Sequence, residues 1–198
     1  MTPERREKLE KLLSLRQNDL TVILENVFDP HNVSAVLRTC DAVGIMEVFL
    51  VNTMTPNHHR FEFYAAASAT KWLIVHRFDN LGDCMTEVRS RYKNVWSTHL
   101  SEGAKSLYDL PLSEPTAFVF GNEKNGISDE MLALCDGNFV IPQVGIIRSL
   151  NISVACAISI YEAFRQKQIA GHFESKKITS TQENMLLKQW DEERLKDS

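Results

Sequence analysis

Apolar positions along the chain alternate between two periods, and that alternation predicts the fold. After Thr2-Pro3, a cap and first-turn signal, Leu9, Leu12, Leu13 and Arg16 fall at helical spacing and predict an amphipathic helix to about residue 17. Residues 20–27, rich in β-branched and aliphatic side chains, predict a buried strand closed by Asp29-Pro30. Val33, Val36, Leu37 and Cys40 then share one helical stripe, which predicts a helix starting near Asn32 and stopped by Gly44. Residues 48–51 predict a second strand. Further along come a short helix over 61–69, a strand over 72–75, a helix over 80–92 and strands over 94–98 and 116–120. A helix opens at Ser128, a strand covers 139–141, a helix runs from Asn151 to about residue 170 with Gly171 as its cap, and residues 179–195 predict a final polar helix. Strands alternating with helices imply an α/β fold: a mostly parallel sheet with helices on both faces.

The helix after Asn151 carries Ile152, Val154, Ala155, Cys156, Ala157, Ile158 and Ile160, apolar on nearly every side. Such a helix must be covered all round, and a small domain has little material for it. A homodimer is therefore expected, with central burial in one chain as the alternative.

Composition narrows the class. At 198 residues, 43% hydrophobic and 24% charged, the chain is large enough for one core without staples. Cys40, Cys84, Cys135 and Cys156 form no Cys-x-x-Cys pattern, so neither zinc nor a disulfide framework is expected, and they read as buried thiols in a reducing compartment. The charged start of the chain and the lack of a long apolar run argue for a cytoplasmic protein with no membrane partner. A net charge of −4 argues against indiscriminate polyanion binding. Basic residues still gather at Arg5, Arg6, Lys8, Lys11 and Arg16, and at Arg165, Lys167, Lys176 and Lys177.

Three segments carry candidate chemistry. In the first, Asn32 stands where a helix cap belongs, beside free amides suited to an anion, and Ser34 and Arg38 share a face away from the apolar stripe. The second runs Gly121-Asn122-Glu123-Lys124-Asn125-Gly126-Ile127-Ser128. It resembles a phosphate loop, but Ile127 occupies the Walker lysine position, and no strand leads into a Gly-x-Gly-x-x-Gly turn of the Rossmann type. The third, residues 140–151, is a strand end broken by Pro142 and Gly145, with Ser149 or Asn151 placed to cap the next helix. Loops following residues 98, 121 and 142 should share the carboxyl edge of the sheet, where α/β proteins bind ligands.

Taken together, Asn32-x-x-x-x-x-Arg38, Gly121-x-Glu123-x-x-Gly126 and Ile141-Pro142-x-x-Gly145-x-x-x-Ser149-Leu150-Asn151-x-Ser153-Val154-Ala155 resemble the three motifs of the SpoU branch of the SPOUT methyltransferases. The resemblance covers almost the whole chain and lies nearest the branch's tRNA guanosine ribose methyltransferases. It implies a C-terminal trefoil knot, a homodimer, and S-adenosylmethionine as methyl donor. The cofactor would meet backbone groups around Thr98, Gly121, Ile141 and Leu150. Arg38 would be catalytic, with Asn32, Glu123, Ser149 and Asn151 arranging the site. It divides the chain into an N-terminal helix (1–19), a methyltransferase domain (20–170) and a helical extension (171–198). Arg5, Lys8, His31, Arg165 and Lys167 would hold tRNA, whose first guanosine of the D-loop GG pair is the implied target. A ribose 2′-hydroxyl acceptor excludes DNA. Phe28-Asp29 departs from the family, which commonly has Lys at the second position, and Gln143 and Arg148 stand for a usual Met and Gln.

Methyl transfer to a hydroxyl requires near-linear approach and removal of a proton. The family proposal makes Arg38 the base; because a guanidinium stays charged near neutral pH, stabilisation of alkoxide charge by Arg38, with water or phosphate taking the proton, is the alternative. Two further readings compete: a SpoU-type enzyme acting on ribosomal RNA or a wobble nucleotide, and a non-catalytic RNA-binding knot.

Overall fold

The computed structural model describes residues 2–54, 71–147 and 149–196. The helix expected over 61–69 and Arg148 lie outside the described residues. In chain order the elements are α1 (Pro3–Ser14), β1 (Leu20–Glu25), α2 (Pro30–Ala42), β2 (Glu47–Val51), β3 (Ile74–Phe78), α3 (Leu81–Arg89), β4 (Asn94–Thr98), β5 (Lys105–Ser106), β6 (Thr116–Phe120), α4 (Asp129–Leu134), β7 (Gly137–Val140), α5 (Ile152–Ile169) and α6 (Ser180–Lys196), with a 3₁₀ turn at Leu107–Asp109. Every pairing in the seven-stranded sheet is parallel, in the order β3-β2-β1-β6-β4-β7-β5.

The strand period of two places successive side chains on opposite faces. Val22, Leu24, Phe118 and Phe120 pack under α2 and α5, whose Val33, Val36, Leu37, Cys156 and Ile160 close that core. Ile23, Phe49, Val51 and Val119 point the other way and are covered by Leu81, Met85 and Val88 of α3 and Met131 of α4. The expected α/β architecture with two covered faces is therefore present.

Several expectations are corrected. The third strand begins two residues late, because Trp72 packs edge-on against Trp190 at 5.4 Å instead of entering the ladder. The last strand starts at Gly137 and ends at Val140. The final helix is docked rather than merely polar: Leu186 and Trp190 join Leu9 and Leu13 of α1, Met46 and Ile178 in a third core. Arg16, one of the clustered basic residues, is 5% exposed, donates to the Ile45 carbonyl and to Asp41, and lies over the Trp190 ring. Cys40, Cys84 and Cys156 are buried thiols as expected, whereas Cys135 is half-buried.

Candidate active site

The helix after β1 goes to one face of the sheet and the helix after β6 goes to the other, although β1 and β6 are neighbours. Diverging connections open a crevice at the carboxyl ends of the two strands, the switch point where α/β folds take ligands. Asn26, directly after β1, has φ +52°, a left-handed conformation that asparagine tolerates better than most residues. Its Oδ1 accepts from the Thr53 and Met54 amides at 2.9 and 3.2 Å, and its carbonyl accepts from Asn122 Nδ2 at 2.8 Å. Beside it, buried Glu25 accepts from the Ser128 amide and hydroxyl, tying the start of α4 to β1. Asn26, Asn122, Glu25 and Ser128 fasten the walls of the crevice. Sequence reasoning assigned no role to Asn26, Asn122 or Glu25; an asparagine between a strand and Asp-Pro was the available signal.

Asp29, not Asn32, caps α2: its carboxylate accepts from the His31 amide at 2.9 Å, and Pro30 occupies the first turn. Asn32 thus sits inside the first turn with its side chain free. Its Nδ2 donates to Glu123 Oε1 at 2.5 Å, and its Oδ1 accepts from Asn151 Nδ2 at 3.1 Å. Asn151 is the cap of α5, accepting from the Ser153 amide. One amide therefore joins the three motif segments across the crevice.

The glycine at 121 makes this loop possible. A Cβ there would lie 2.3 Å from the Gly126 backbone, so the turn carrying Glu123 closes only with glycine. Arg38 is exposed on α2 and has no hydrogen bond or ion pair among the described residues. Ser149 is exposed two residues before the Asn151 cap.

Thr98, Gly121 and Ile141 follow or end the adjacent strands β4, β6 and β7 and are half-buried; Leu150 is 36% exposed. This edge offers backbone groups, apolar walls and a glycine turn. That uncharged donor and acceptor set fits an adenosine and leaves a sulfonium without a competing cation at these four positions.

The expected RNA contacts divide. Arg5 is half-buried, Lys8 and His31 are exposed, and exposed Arg165 already forms two 2.8 Å bonds to Glu162. Lys167 does not reach the surface, contrary to its expected RNA contact. It is wholly buried, 3.1 Å from Asp19, and donates to the carbonyls of Ser113 and Glu114. Burial pushes its pKa below the usual lysine value although Asp19 pulls the other way. A phosphate cannot reach it without opening that core.

Fold and site define a class: a parallel α/β protein with a carboxyl-edge crevice bridged by amides and flanked by an arginine-bearing helix. Its relatives narrow the class. The model of the SpoU rRNA Methylase family matches residues 19–161, and the chain belongs to this family. The tRNA (guanosine(18)-2'-O)-methyltransferase of Thermus thermophilus is 39% identical over 191 residues, 96% of each chain. The crystal structure of the A. aeolicus TrmH/SpoU tRNA modifying enzyme superposes with a TM-score of 0.86 at 32% identity, covering 97% of each chain. The AdoMet-bound rRNA methyltransferase from Sinorhizobium meliloti is 29% identical with a TM-score of 0.65, over 78% of this chain and 59% of that one.

Proposed function

We propose that this protein transfers a methyl group from S-adenosylmethionine to the ribose 2′-hydroxyl of guanosine 18 in tRNA. The observation that carries the reading is the Asn151–Asn32–Glu123 bridge, which draws three distant motifs into one crevice on the helix that bears Arg38. Near-complete overlap with a relative named for that reaction supports the tRNA target over a ribosomal one.

S-adenosylmethionine supplies an electrophilic methyl on a sulfonium when bound. Backbone groups at Thr98, Gly121, Ile141 and Leu150 hold it. Asn32, Glu123 and Asn151 fix the first turn of α2 against the loops, with Ser149 on the same approach. Arg38 meets the negative charge that develops on the ribose oxygen, and water or an RNA phosphate accepts the proton. Glu123 already accepts from Asn32 and serves position rather than proton transfer. Arg5, Lys8, His31 and Arg165 supply phosphate contacts.

The finer architecture follows the same reading. β7 forms late in the chain yet lies between β4 and β5, an order that supports a C-terminal trefoil knot. Val144, Ile146 and Ile147 in the loop before α5, and Val154, Tyr161 and Ile169 on it, are exposed apolar residues that support a homodimer. No described helix is long and apolar enough to cross a membrane.

The test is methyl transfer from labelled S-adenosylmethionine to unmodified tRNA and ribosomal RNA transcripts, with the modified nucleotide mapped. Label at the ribose of guanosine 18 is expected. Transfer only to ribosomal RNA would replace the target, and cofactor binding without transfer to any RNA would replace the enzyme with a binding protein.

A further inference from the structure

A cavity of about 620 Å³ lies among α1, the end of α2, the end of α5 and α6. It is bordered by Leu15, Arg16 and Gly44, which lead into β1 and β2, so it occupies the strand edge opposite the crevice. Its size falls in the range of ligand pockets. Trp72, Phe164, Phe173 and Trp190 give it aromatic walls. Among the described lining residues the cations are Arg5, Lys8 and Arg16, and the one acid, Asp41, is already bound to Arg16.

Two donors in the lining lack an acceptor among the described residues: Arg5 Nε and Trp190 Nε1 are both buried, and Trp190 as a whole is 2% exposed. Buried donors are almost always paired, so an unpaired couple in a cavity wall marks where a ligand's acceptors belong. The surplus is donors and positive charge between rings. Its complement is a planar aromatic body that carries acceptors and an anion, which is the chemistry of a nucleotide.

Helix α2 links this cavity to the crevice. Asn32 belongs to the crevice and Ala42 lines the cavity, about 15 Å apart at the helical rise per residue. Arg38 and Ala42 are four residues apart and both exposed, so they lie on one face. RNA passing over Arg38 therefore reaches the cavity mouth along a single helix.

Resting on the methyl-transfer reading above, we propose that the cavity receives a second nucleotide of the RNA substrate, its base enclosed by the aromatic walls and its phosphate held by Arg5 and Lys8. A fatty-acid anion would meet the same apolar lining, but the four rings and the continuity with Arg38 favour the nucleotide.

The full-length protein bound to an unmodified tRNA transcript is irradiated, and cross-linked peptides are sequenced. A nucleotide on Trp72, Phe164, Phe173 or Trp190 is expected. A cavity-filling Leu12→Trp variant should lose that cross-link and raise the KM for tRNA by at least about fivefold, the low end for one stacked base, with kcat kept at saturating tRNA. Leu12→Phe serves the same purpose if the tryptophan unfolds the protein. Cross-links confined to the crevice loops, or an unchanged KM in a folded filled variant, would overturn the proposal while methyl transfer by the parent stands. Saturable quenching of tryptophan fluorescence by decanoate that leaves the tRNA cross-link undisturbed would also overturn it, by making the cavity a lipid site. Loss of transfer in the parent itself would instead strike the proposed reaction.

Discussion

Replacing Asn32 with Asp tests the bridge with almost no change of shape. The amide donates to Glu123 at 2.5 Å and accepts from Asn151 at 3.1 Å; the carboxylate keeps the second bond and turns the first into a clash of like charges. Losing a hydrogen bond to a charged group costs about 1.5–3 kcal/mol. Repulsion between unit charges about 4 Å apart adds about 1 kcal/mol in water and about 4 kcal/mol near a protein surface. Glu123 is exposed and Asn32 half-buried, which favours the low end of both ranges, so the bridged geometry loses about 3 kcal/mol. If the reacting state needs that geometry, kcat falls by roughly a hundredfold. Single-turnover methylation of tRNA at saturating cofactor measures the loss, and thermal unfolding checks that the fold survives. The double variant Asn32→Ala with Asn151→Ala should be no slower than the worse single, since both cut the same bridge. Activity of Asn32→Asp within threefold of the parent, with the fold intact, would refute the claim that the bridge assembles the site.

Arg38→Ala is expected to bind S-adenosylmethionine normally by calorimetry and to lose nearly all turnover; equal activity would remove Arg38 from the chemistry, and the pH profile of Arg38→Lys separates a proton acceptor from a charge stabiliser. Lys167→Met should lower the melting temperature by about 5–10 °C, because it strands Asp19 beside its remaining partner His172, while leaving tRNA affinity and its salt slope unchanged; a reduced salt slope would return Lys167 to the RNA surface. Burial of Glu47 pushes its pKa up, but hydrogen bonds from His76, Arg91 and Tyr92 outweigh it and hold the carboxyl below its ordinary 4.5. Its contribution is therefore full above that value and is lost as pH falls through the lowered folded pKa. In denaturant titrations the stability gap between the parent and Glu47→Gln should close as pH drops below about 4.5; a gap independent of pH would mean that the charge is immaterial.

What periodicity encodes, the chain displayed openly. The strands over 94–98 and 116–120 have the expected bounds, and the α2 stripe is buried as its spacing requires. Long-range pairing left no such trace. Lys167 and Arg165 stand two residues apart on one helix, yet one is sealed against Asp19 and the other faces solvent. Asp19 lies at the far end of the domain in sequence, so nothing local to α5 announces the difference. The two-residue β5 is too short to carry a period. The role of Asn26 depends on a backbone angle and on Asn122, which is 96 residues away.

The misplaced start of α2 shows how one residue can bear on the site. Asp29 and Asn32 are both good caps, and sequence alone does not choose between them. Had Asn32 been the cap, its Oδ1 would accept from the backbone of the turn and could not also hold Asn151 in the same way. Asp29 takes that duty, with Pro30 setting the first turn, and so releases the Asn32 side chain for Glu123 and Asn151. Position 29 is also where the motif resemblance leads one to expect lysine and the chain carries an acid. The acid that weakens local attraction for RNA is thus the residue that leaves Asn32 free to bridge the motifs. Charge at the mouth of the crevice and order within it are set by the same side chain, and in the proposed reaction phosphate attraction falls to Arg5, Lys8, His31 and Arg165.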